Sequence, residues 1–231
     1  MIAIILAGGF GTRLKSVVSD RPKSMALIRG KPFLEYQMDY WIEQGVTQFI
    51  LSVGYLREMI IGHFGRDYHG ASVEYAIEER PLGTGGGLIL AADGLVEPFL
   101  VLNGDTFIDV NLDELYKFHQ KQMSEWTFSL FRTSQSGRYM GIDVAANGEI
   151  IALQSMKNRV ACLVNGGCYL VSPSILDRLR WKVGDKVSLE DELLPDFISV
   201  GGALYGMECL GSFIDIGIPE DFLRAGDIIS H

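Results

Sequence analysis

The sequence predicts an α/β protein in which a doubly wound, mostly parallel sheet is joined to a small β-rich lobe. Three observations carry that prediction. Over the first 64 residues, apolar runs of strand composition alternate with helical stripes in the order β, α, β, α. The first run, Ile2 to Leu6, opens directly into Gly8-Gly9-Phe10-Gly11, a glycine-rich turn at the carboxyl end of a strand, where open α/β sheets place their ligands. From Trp126 onward the hydrophobic period shortens toward two, and Asn147-Gly148 marks a tight hairpin.

The glycine-rich turn is the stretch the rest serves. Gly8, Gly9 and Gly11 permit close backbone approaches that a Cβ would block, so several main-chain N–H groups can converge on one anion. Arg13 follows as a planar fork suited to bidentate phosphate contact, and Lys23 arrives after Pro22 as a compact point charge. The spacing is neither the P-loop GxxxxGK[ST] nor the dinucleotide GxGxxG, because Gly9-Phe10-Gly11 runs into Thr12, Arg13 and Leu14.

A chain of 231 residues and 25.6 kDa is long enough to bury a full core and fits one α/β domain with a small lobe. No run approaches the roughly 18 apolar residues that span a bilayer. Met1-Ile2-Ala3 enters a strand without a basic leader, so a cytoplasmic protein with no membrane partner is expected. Cys162, Cys168 and Cys209 form no CxxC pair and sit among apolar or small neighbours, which points to buried free thiols. The net charge of −9 argues against nucleic-acid binding. Its distribution is uneven: Met1 to Lys31 holds six cations (Arg13, Lys15, Arg21, Lys23, Arg29, Lys31) against Asp20 alone, leaving 14 cations and 28 anions for the other 200 residues. Positive charge is therefore expected beside the glycine turn, where a polyphosphate needs it, although a charged run is also what a solvated face looks like.

The remaining elements follow in order. Pro32 precedes a helix from Phe33 to Glu43 whose stripe is Phe33, Tyr36, Gln37, Tyr40 and Trp41, with Gly45 as the stop. Gln48–Val53 reads as a strand, Leu56–Phe64 as a helix and Val73–Ile77 as a strand. Glu78 to Leu88 is a second glycine-rich turn running into an apolar helix that ends near Ala92. Phe99–Leu102 is a buried strand ending in Asn103-Gly104-Asp105-Thr106, which puts an acid at the mouth of the ligand crevice with Gly104 allowing the turn. Asp105 is therefore expected to bind a cation; capping of the helix at Leu112–Met123 falls more naturally to Asn111 or Asp113. His63, His69, His119 and His231 have no partners at metal spacing, so no zinc site is expected, and no GxSxG elbow points to a hydrolase.

In the second half, Trp126–Phe131, Gly141–Val144, Ile150–Leu153 and Leu163–Val171 read as strands, and Pro173 starts a helix to Leu179. Ser188 and Asp191 have the spacing of a capping box. Ser212 to Phe222 gives a strand, a turn and a closing helix with Pro219 in its first turn. Asp215, flanked by Ile214 and Ile216, is costly to bury unpaired, and a metal ion would compensate it.

The string LAGGFGTRL with the downstream Pro22-Lys23 closely resembles the signature of the sugar-1-phosphate nucleotidylyltransferases, and Glu78–Leu88, NGDTF, VNGGCYL and FIDIGIPEDF extend the resemblance along nearly the whole chain. The resemblance implies a Rossmann-like, glycosyltransferase-A-like fold in one nucleotidyltransferase domain over residues 1–231, with 1–125 mainly nucleotide-binding and 126–231 mainly sugar-phosphate-binding. It implies Mg²⁺ held by Asp105 and Asp215, and a nucleoside triphosphate and a sugar 1-phosphate as partners. Arg13, Lys23 and Asp105 would be catalytic. Leu6, Ala7, Gly8, Gly9, Gly11, Thr12, Arg13, Lys23, Glu78, Pro81, Gly83, Thr84, Asn103 and Gly104 would hold the nucleotide. Gly141, Lys157, Asn165, Gly166, Gly167 and Glu190 would hold the sugar phosphate. Where family members carry Glu-Lys before the sugar-binding strand, this chain has Gln154-Ser155-Met156-Lys157, so Lys157 takes that place with a one-residue shift.

Base preference follows from hydrogen-bond chemistry. A carboxylate such as Glu78 accepts from both N1–H and the 2-amino group of guanine, so GTP is expected, while capping of the following helix or pairing with Arg80 is the competing use of the same side chain. The motifs are most similar to the short family members acting on D-glycero-D-manno-heptose 1-phosphate. Neighbouring alternatives are mannose 1-phosphate guanylyltransferases and uridylyl- or thymidylyltransferases of other sugar phosphates. An alternative of another class is a regulatory subunit that binds nucleotide without chemistry. The oligomeric state is left open, a homodimer included.

Overall fold

The computed structural model describes residues 1–9, 20–134, 139–155 and 161–229. The strand β1 (Ile2–Leu6) is followed, after the turn Lys23–Met25, by the hairpin β2 (Leu27–Ile28) and β3 (Lys31–Pro32), then α1 (Phe33–Glu43), β4 (Gln48–Val53), α2 (Arg57–Phe64), β5 (Asp67–Tyr68), β6 (Ala71–Ile77), α3 (Gly83–Ala91) and β7 (Phe99–Asn103). Next come β8 (Thr106–Ile108), α4 (Leu112–Lys121), β9 (Trp126–Thr133), β10 (Met140–Val144), β11 (Ile150–Ser155), β12 (Cys162–Val171) and α5 (Ser174–Arg178). The chain closes with a wide turn at Leu189–Leu193, α6 (Leu194–Ser199), β13 (Leu204–Glu208), β14 (Phe213–Asp215) and α7 (Pro219–Ile228).

One ten-stranded sheet runs in the order β11-β10-β12-β7-β1-β4-β6-β5, with β9 joining β12 and β13 joining β9. Its centre, β7-β1-β4-β6, is parallel as expected, with Ile4 opposite Ile50 and Val101. The flanks are not. β12 runs antiparallel to β7 and β9, β10 pairs antiparallel with β11, and β5 folds back on β6, so the sheet is mixed and the β-rich second half extends it edge on.

Alternation along the central strands feeds two cores. Ala3, Ile5, Phe49 and Leu51 point to one face and pack under Leu34, Met38 and Trp41 of α1, whereas Ile4, Val101 and Phe99 point to the other, under Leu88 of α3 and beside Trp126 and Phe197. The buried face of α1 includes Leu34 and Met38, while Tyr36 and Tyr40 of the expected stripe lie half-buried. A third, smaller core of Ala26, Ile28, Phe33, Phe107, Ile214, Ile216 and Ala225 ties the Lys23 turn to β8, β14 and α7. That cluster positions the chemistry, because β14 pairs antiparallel with β8 and sets Asp215 opposite Thr106, next to Asp105.

Local signals behave as their chemistry dictates. Asn111 caps α4, its Oδ1 accepting the Glu114 N–H at 3.0 Å, so Asp105 is not needed there. Asn147-Gly148 turns the hairpin between β10 and β11, with Gly148 at φ +87°. The helix expected from Leu56 starts at Arg57, because Leu56 takes a left-handed conformation with φ +53°. The three cysteines are buried. Among the described residues, no helix is long and apolar enough to cross a membrane.

Candidate active site

A cleft of about 540 Å³ opens at the carboxyl ends of the parallel strands, within the roughly 300–1,000 Å³ typical of small-molecule sites. The turn after β1 forms its floor. Ala7 donates its N–H to the Ser52 carbonyl at 2.9 Å, and Gly104 donates to the Leu6 carbonyl at 3.1 Å. Gly104 is required for contact rather than for a special turn conformation: a Cβ there would stand 2.6 Å from the Leu6 carbonyl oxygen. Leu6, Ala7, Gly8, Gly9, Asn103 and Gly104 all line the cleft, as the sequence indicates.

At one end of the cleft, opposite charges meet. The Lys23 ammonium pairs with the Asp105 carboxylate, and its side chain is only 11% exposed. A Cβ on Gly217 would collide with the Lys23 ammonium and approach Asp215 Oδ1 to 2.7 Å, so the missing side chain of Gly217 leaves room for the lysine beside both acids. Asp215 Oδ1 also accepts the Gly217 N–H at 2.7 Å, and the Asp105 carbonyl accepts the Ile216 N–H at 2.9 Å, which locks the two acidic segments together. Asp105 and Asp215 are hard oxygen donors on adjoining chain segments, open to the cleft, the set a divalent cation takes when substrate phosphates supply its other ligands. Among the described residues no group of three or more His, Cys, Asp and Glu side chains forms a closed metal cage, so the candidate donor set is this open pair.

At the other end sits Glu78, directly after β6. Its Oε1 accepts the Ser52 hydroxyl at 3.0 Å and its Oε2 accepts the Leu82 N–H at 3.0 Å. The carboxylate is wedged against Gly8, where any Cβ would collide with it, and against Gly87. Glu78 therefore does hold the entry to α3, one of the two uses left open by the sequence. Arg80 turns away and donates to the Gly184 carbonyl at 3.2 Å. A carboxylate has about four acceptor sites, so two hydrogen bonds leave Glu78 capacity for a ligand.

The glycines of the second loop divide by role. Gly83, Gly85 and Gly86 let residues 185–189 press onto the start of α3: a Cβ on Gly83 would stand 2.6 Å from the Val187 carbonyl oxygen, and the Gly85 and Gly86 N–H groups donate to that same carbonyl at 3.0 and 3.1 Å. Gly87 faces Ser52 and Glu78 instead. Thr84 links the two walls, accepting the Leu189 N–H at 2.9 Å and donating to Glu190 Oε2 at 3.3 Å. Desolvation by the cleft wall, ahead of the Asp191 and Asp105 charges, pushes the Glu190 carboxyl up, although the residue stays exposed at the mouth.

Not every expected residue reaches the cleft. Gly141 lies within β10, paired with Gln154 and Val164, and is not part of the lining. Asn165 donates to the Tyr169 hydroxyl at 2.6 Å and accepts the Gly167 N–H at 3.0 Å. Gly166 and Gly167 support the site from behind: Gly167, at φ +74°, rests on Asn103 and Thr106, and Gly166 rests on Ile108 and Ser129. Gly11, Thr12, Arg13 and Lys157 fall outside the described residues. The expected convergence of cations does not hold among the described members. Among the described residues only Lys23 of these cations lines the cleft; Arg21 pairs with its neighbour Asp20, while the β2–β3 hairpin carries Arg29 to Asp227 on α7 and Lys31 to Asp39 on α1. His63 and His69 pair with Glu35 and Asp39.

Ser52, Ser24, Thr106 and Gly87 line the cleft without having been singled out in the sequence. Ser52 had a faint signal, a lone hydroxyl near the carboxyl end of an otherwise apolar strand. Its neighbours across the sheet, Leu6 and Ala76, had to be known before that hydroxyl meant anything.

The geometry is matched by likeness along the whole chain: the family model described as nucleotidyl transferase covers residues 2–230. The chain belongs to the nucleotidyl transferase family. Its relatives include a D-glycero-alpha-D-manno-heptose 1-phosphate guanylyltransferase from Aneurinibacillus thermoaerophilus, 38% identical over 100% of this chain and 99% of that protein. A protein of the same description from Campylobacter jejuni is 36% identical over 96% of this chain and 97% of its own length. The crystal structure of HddC from Yersinia pseudotuberculosis superposes with a TM-score of 0.87 at 34% identity, covering 99% of both chains, and it has also been solved complexed with GMP-PN. Solved structures at 18% identity share the fold. This nucleotidyl transferase is thus an enzyme, with a fold that its relatives carry at full length.

Proposed function

We propose that this nucleotidyl transferase moves GMP from GTP to a sugar 1-phosphate, D-glycero-α-D-manno-heptose 1-phosphate, giving the GDP-sugar and pyrophosphate. The observation that carries the reading is the cleft's polarity: a fixed carboxylate, Glu78, at one end and the cluster of Lys23, Asp105 and Asp215 at the other. The guanylyltransferase relatives matched at full length, both named for D-glycero-alpha-D-manno-heptose 1-phosphate, support the choice of guanine and heptose.

The acceptor brings its own nucleophile. A phosphate monoester has a second pKa of about 6, so near neutrality its oxygen is anionic and no serine or histidine base is required. The obstacle is repulsion between that phosphate and the triphosphate, and the residues present address it. Asp105 and Asp215 would hold Mg²⁺, which when bound neutralises phosphate charge and templates the α-phosphate beside the incoming oxygen. Lys23, paired with Asp105 at this end of the cleft, would supply positive charge to the phosphates and stabilise the departing pyrophosphate. The Gly8 and Gly9 backbone, with Gly11, Thr12 and Arg13 beyond the described residues, holds the triphosphate, while Pro81, Gly83 and Thr84 wall the nucleoside. Glu78 accepts from the guanine edge with the oxygens that Ser52 and Leu82 keep in place.

Residues 1–125 serve mainly the nucleotide, and the later half contributes Glu190 to sugar hydroxyls and Asp215 to the cation. Lys157 is assigned to the acceptor phosphate, with Gly141, Asn165, Gly166 and Gly167 supporting that side. A cytoplasmic location fits these soluble phosphorylated substrates. The test is a panel of sugar 1-phosphates, heptose and mannose included, with GTP, ATP, UTP, CTP and dTTP, read by the mass of the nucleotide sugar. GDP-heptose as the dominant product is expected. Dominance of a uridine or thymidine sugar would overturn the base assignment, and GDP-mannose the sugar assignment. Silence throughout, with nucleotide binding intact, would favour a regulatory subunit.

A further inference from the structure

Gln37 is a residue the chemistry above leaves unused. It sits on the buried face of α1, 2% exposed, among Phe33, Leu34, Met38 and Trp41, where an apolar side chain of the same volume would pack without any polar requirement. Its amide nitrogen instead donates two hydrogen bonds, to the Asn103 carbonyl at 2.9 Å and to the Thr106 carbonyl at 2.6 Å. These two carbonyls are the two ends of the turn that carries Asp105. Its amide oxygen, also buried, has no hydrogen-bond partner among the described residues. A buried amide with one unsatisfied acceptor is a poor contribution to stability, so packing alone does not explain it.

The turn has other anchors. Gly104 is tied to Leu6 and the Asp105 carbonyl to Ile216, which fix the middle of the turn on its two sides. Its ends are registered separately, Asn103 opposite Leu6 in the central sheet and Thr106 opposite Asp215 in the β8–β14 pair, and Gln37 is the side chain that bonds both ends at once. Gln37 is a single rigid fork between those ends, delivered by a helix that packs on the sheet, and it closes the turn from behind.

We infer that Gln37 is a positioning residue for cation binding: by clamping the Asn103 and Thr106 carbonyls it aims the Asp105 carboxylate at the cleft. The inference rests on the proposed role of Asp105 as a cation ligand. Hydrogen-bond partners of ligating side chains typically contribute about 10- to 100-fold in metal affinity, and the lower end is expected for a clamp that acts through the flanking carbonyls. Gln37→Met keeps the volume and removes both donors; Gln37→Glu keeps the shape and sets an acceptor against two carbonyls.

Mn²⁺ binding to the purified full-length protein in the presence of GTP, followed by electron paramagnetic resonance, tests it alongside the thermal midpoint of each variant. In either folded variant the Mn²⁺ affinity falls about 10-fold or more, the metal concentration for half-maximal turnover rises in parallel, and turnover at saturating metal returns to near the wild-type level. Unchanged Mn²⁺ affinity in a folded variant overturns the inference. Asp105→Asn separates the two levels. If it too binds Mn²⁺ like the wild type, the ligand role of Asp105 falls and the inference with it; if it loses Mn²⁺ while Gln37→Met does not, only the positioning role falls.

Discussion

The two ends of the cleft treat their carboxylates differently. Glu78 is held by neutral donors, the Ser52 hydroxyl and the Leu82 N–H, which belong to the sheet and to the first turn of a helix and have no reason to leave when a nucleotide arrives. Asp105 is held by Lys23, a flexible ammonium that is itself suited to phosphate. On the proposed function, one end is a preset reader and the other an exchangeable ion pair. The lesson is that a fixed carboxylate suits a hydrogen-bond pattern, which must be met at one geometry, whereas a carboxylate on a mobile counter-charge suits a cation that comes and goes with substrate.

The sharpest way to break this comparison is at the exchangeable end. Asp105→Asn is expected to keep the fold and lower kcat by at least about 100-fold, about 3 kcal/mol of transition-state stabilisation, with Asp215→Asn similar and the double variant far from additive. Steady-state assays over a metal titration check it. Near-normal turnover with unchanged metal dependence would remove Asp105 from the chemistry.

At the preset end, Glu78→Gln swaps an acceptor for a donor against the guanine N1–H and should reduce kcat/KM for GTP by about 1–3 kcal/mol, roughly 5- to 150-fold. ITP, which lacks the 2-amino group, should lose less, so the GTP-to-ITP ratio is the measurement. A variant that keeps the wild-type ratio would leave Glu78 as a helix-entry residue alone. Ser52→Ala is the milder version. It removes one of the two hydrogen bonds on Glu78 and should raise KM for GTP by about fivefold to tenfold, near 1 kcal/mol, with kcat little changed.

The pH dependence of stability has a separate source, and separating it keeps the cleft assays interpretable. His119, on the buried face of α4 and 4% exposed, bonds the Thr127 and Ser172 hydroxyls at 2.8 and 3.0 Å, and burial pushes its pKa down to about 4. The folded state thus favours neutral His119 while the unfolded chain titrates at about 6.5. Its contribution is complete above pH 6.5 and is lost as the pH falls from there toward 4, amounting to at most about 3 kcal/mol. Thermal midpoints of wild type and His119→Gln between pH 7.5 and 4 should converge as the pH drops. A constant gap would place the acid sensitivity elsewhere.

Much of this was legible in the residues themselves. The apolar runs of β1, β4 and β7, the Asn111 cap and the Asn147-Gly148 hairpin all stand where the sequence puts them, and Asp105 and Asp215 lie on adjoining segments. Those features are local: period, capping chemistry and turn geometry act over a few residues, so a linear reading sees them. The cation-rich first 31 residues misled for the opposite reason. Their charges are close in sequence, but a two-residue hairpin sends Arg29 and Lys31 to partners on α7 and α1.

What the sequence by itself determined was the alternation of elements, the family and the identity of the acids and the lysine. Only the tertiary structure decided that Ser52 holds Glu78, that Gln37 bridges the Asp105 turn, and that Gly83, Gly85 and Gly86 serve packing while Gly87 faces Ser52 and Glu78. The physical reason is that each of those roles is a contact between chain segments far apart in sequence. Sheet register and helix docking create such contacts, and no short window of residues contains both partners.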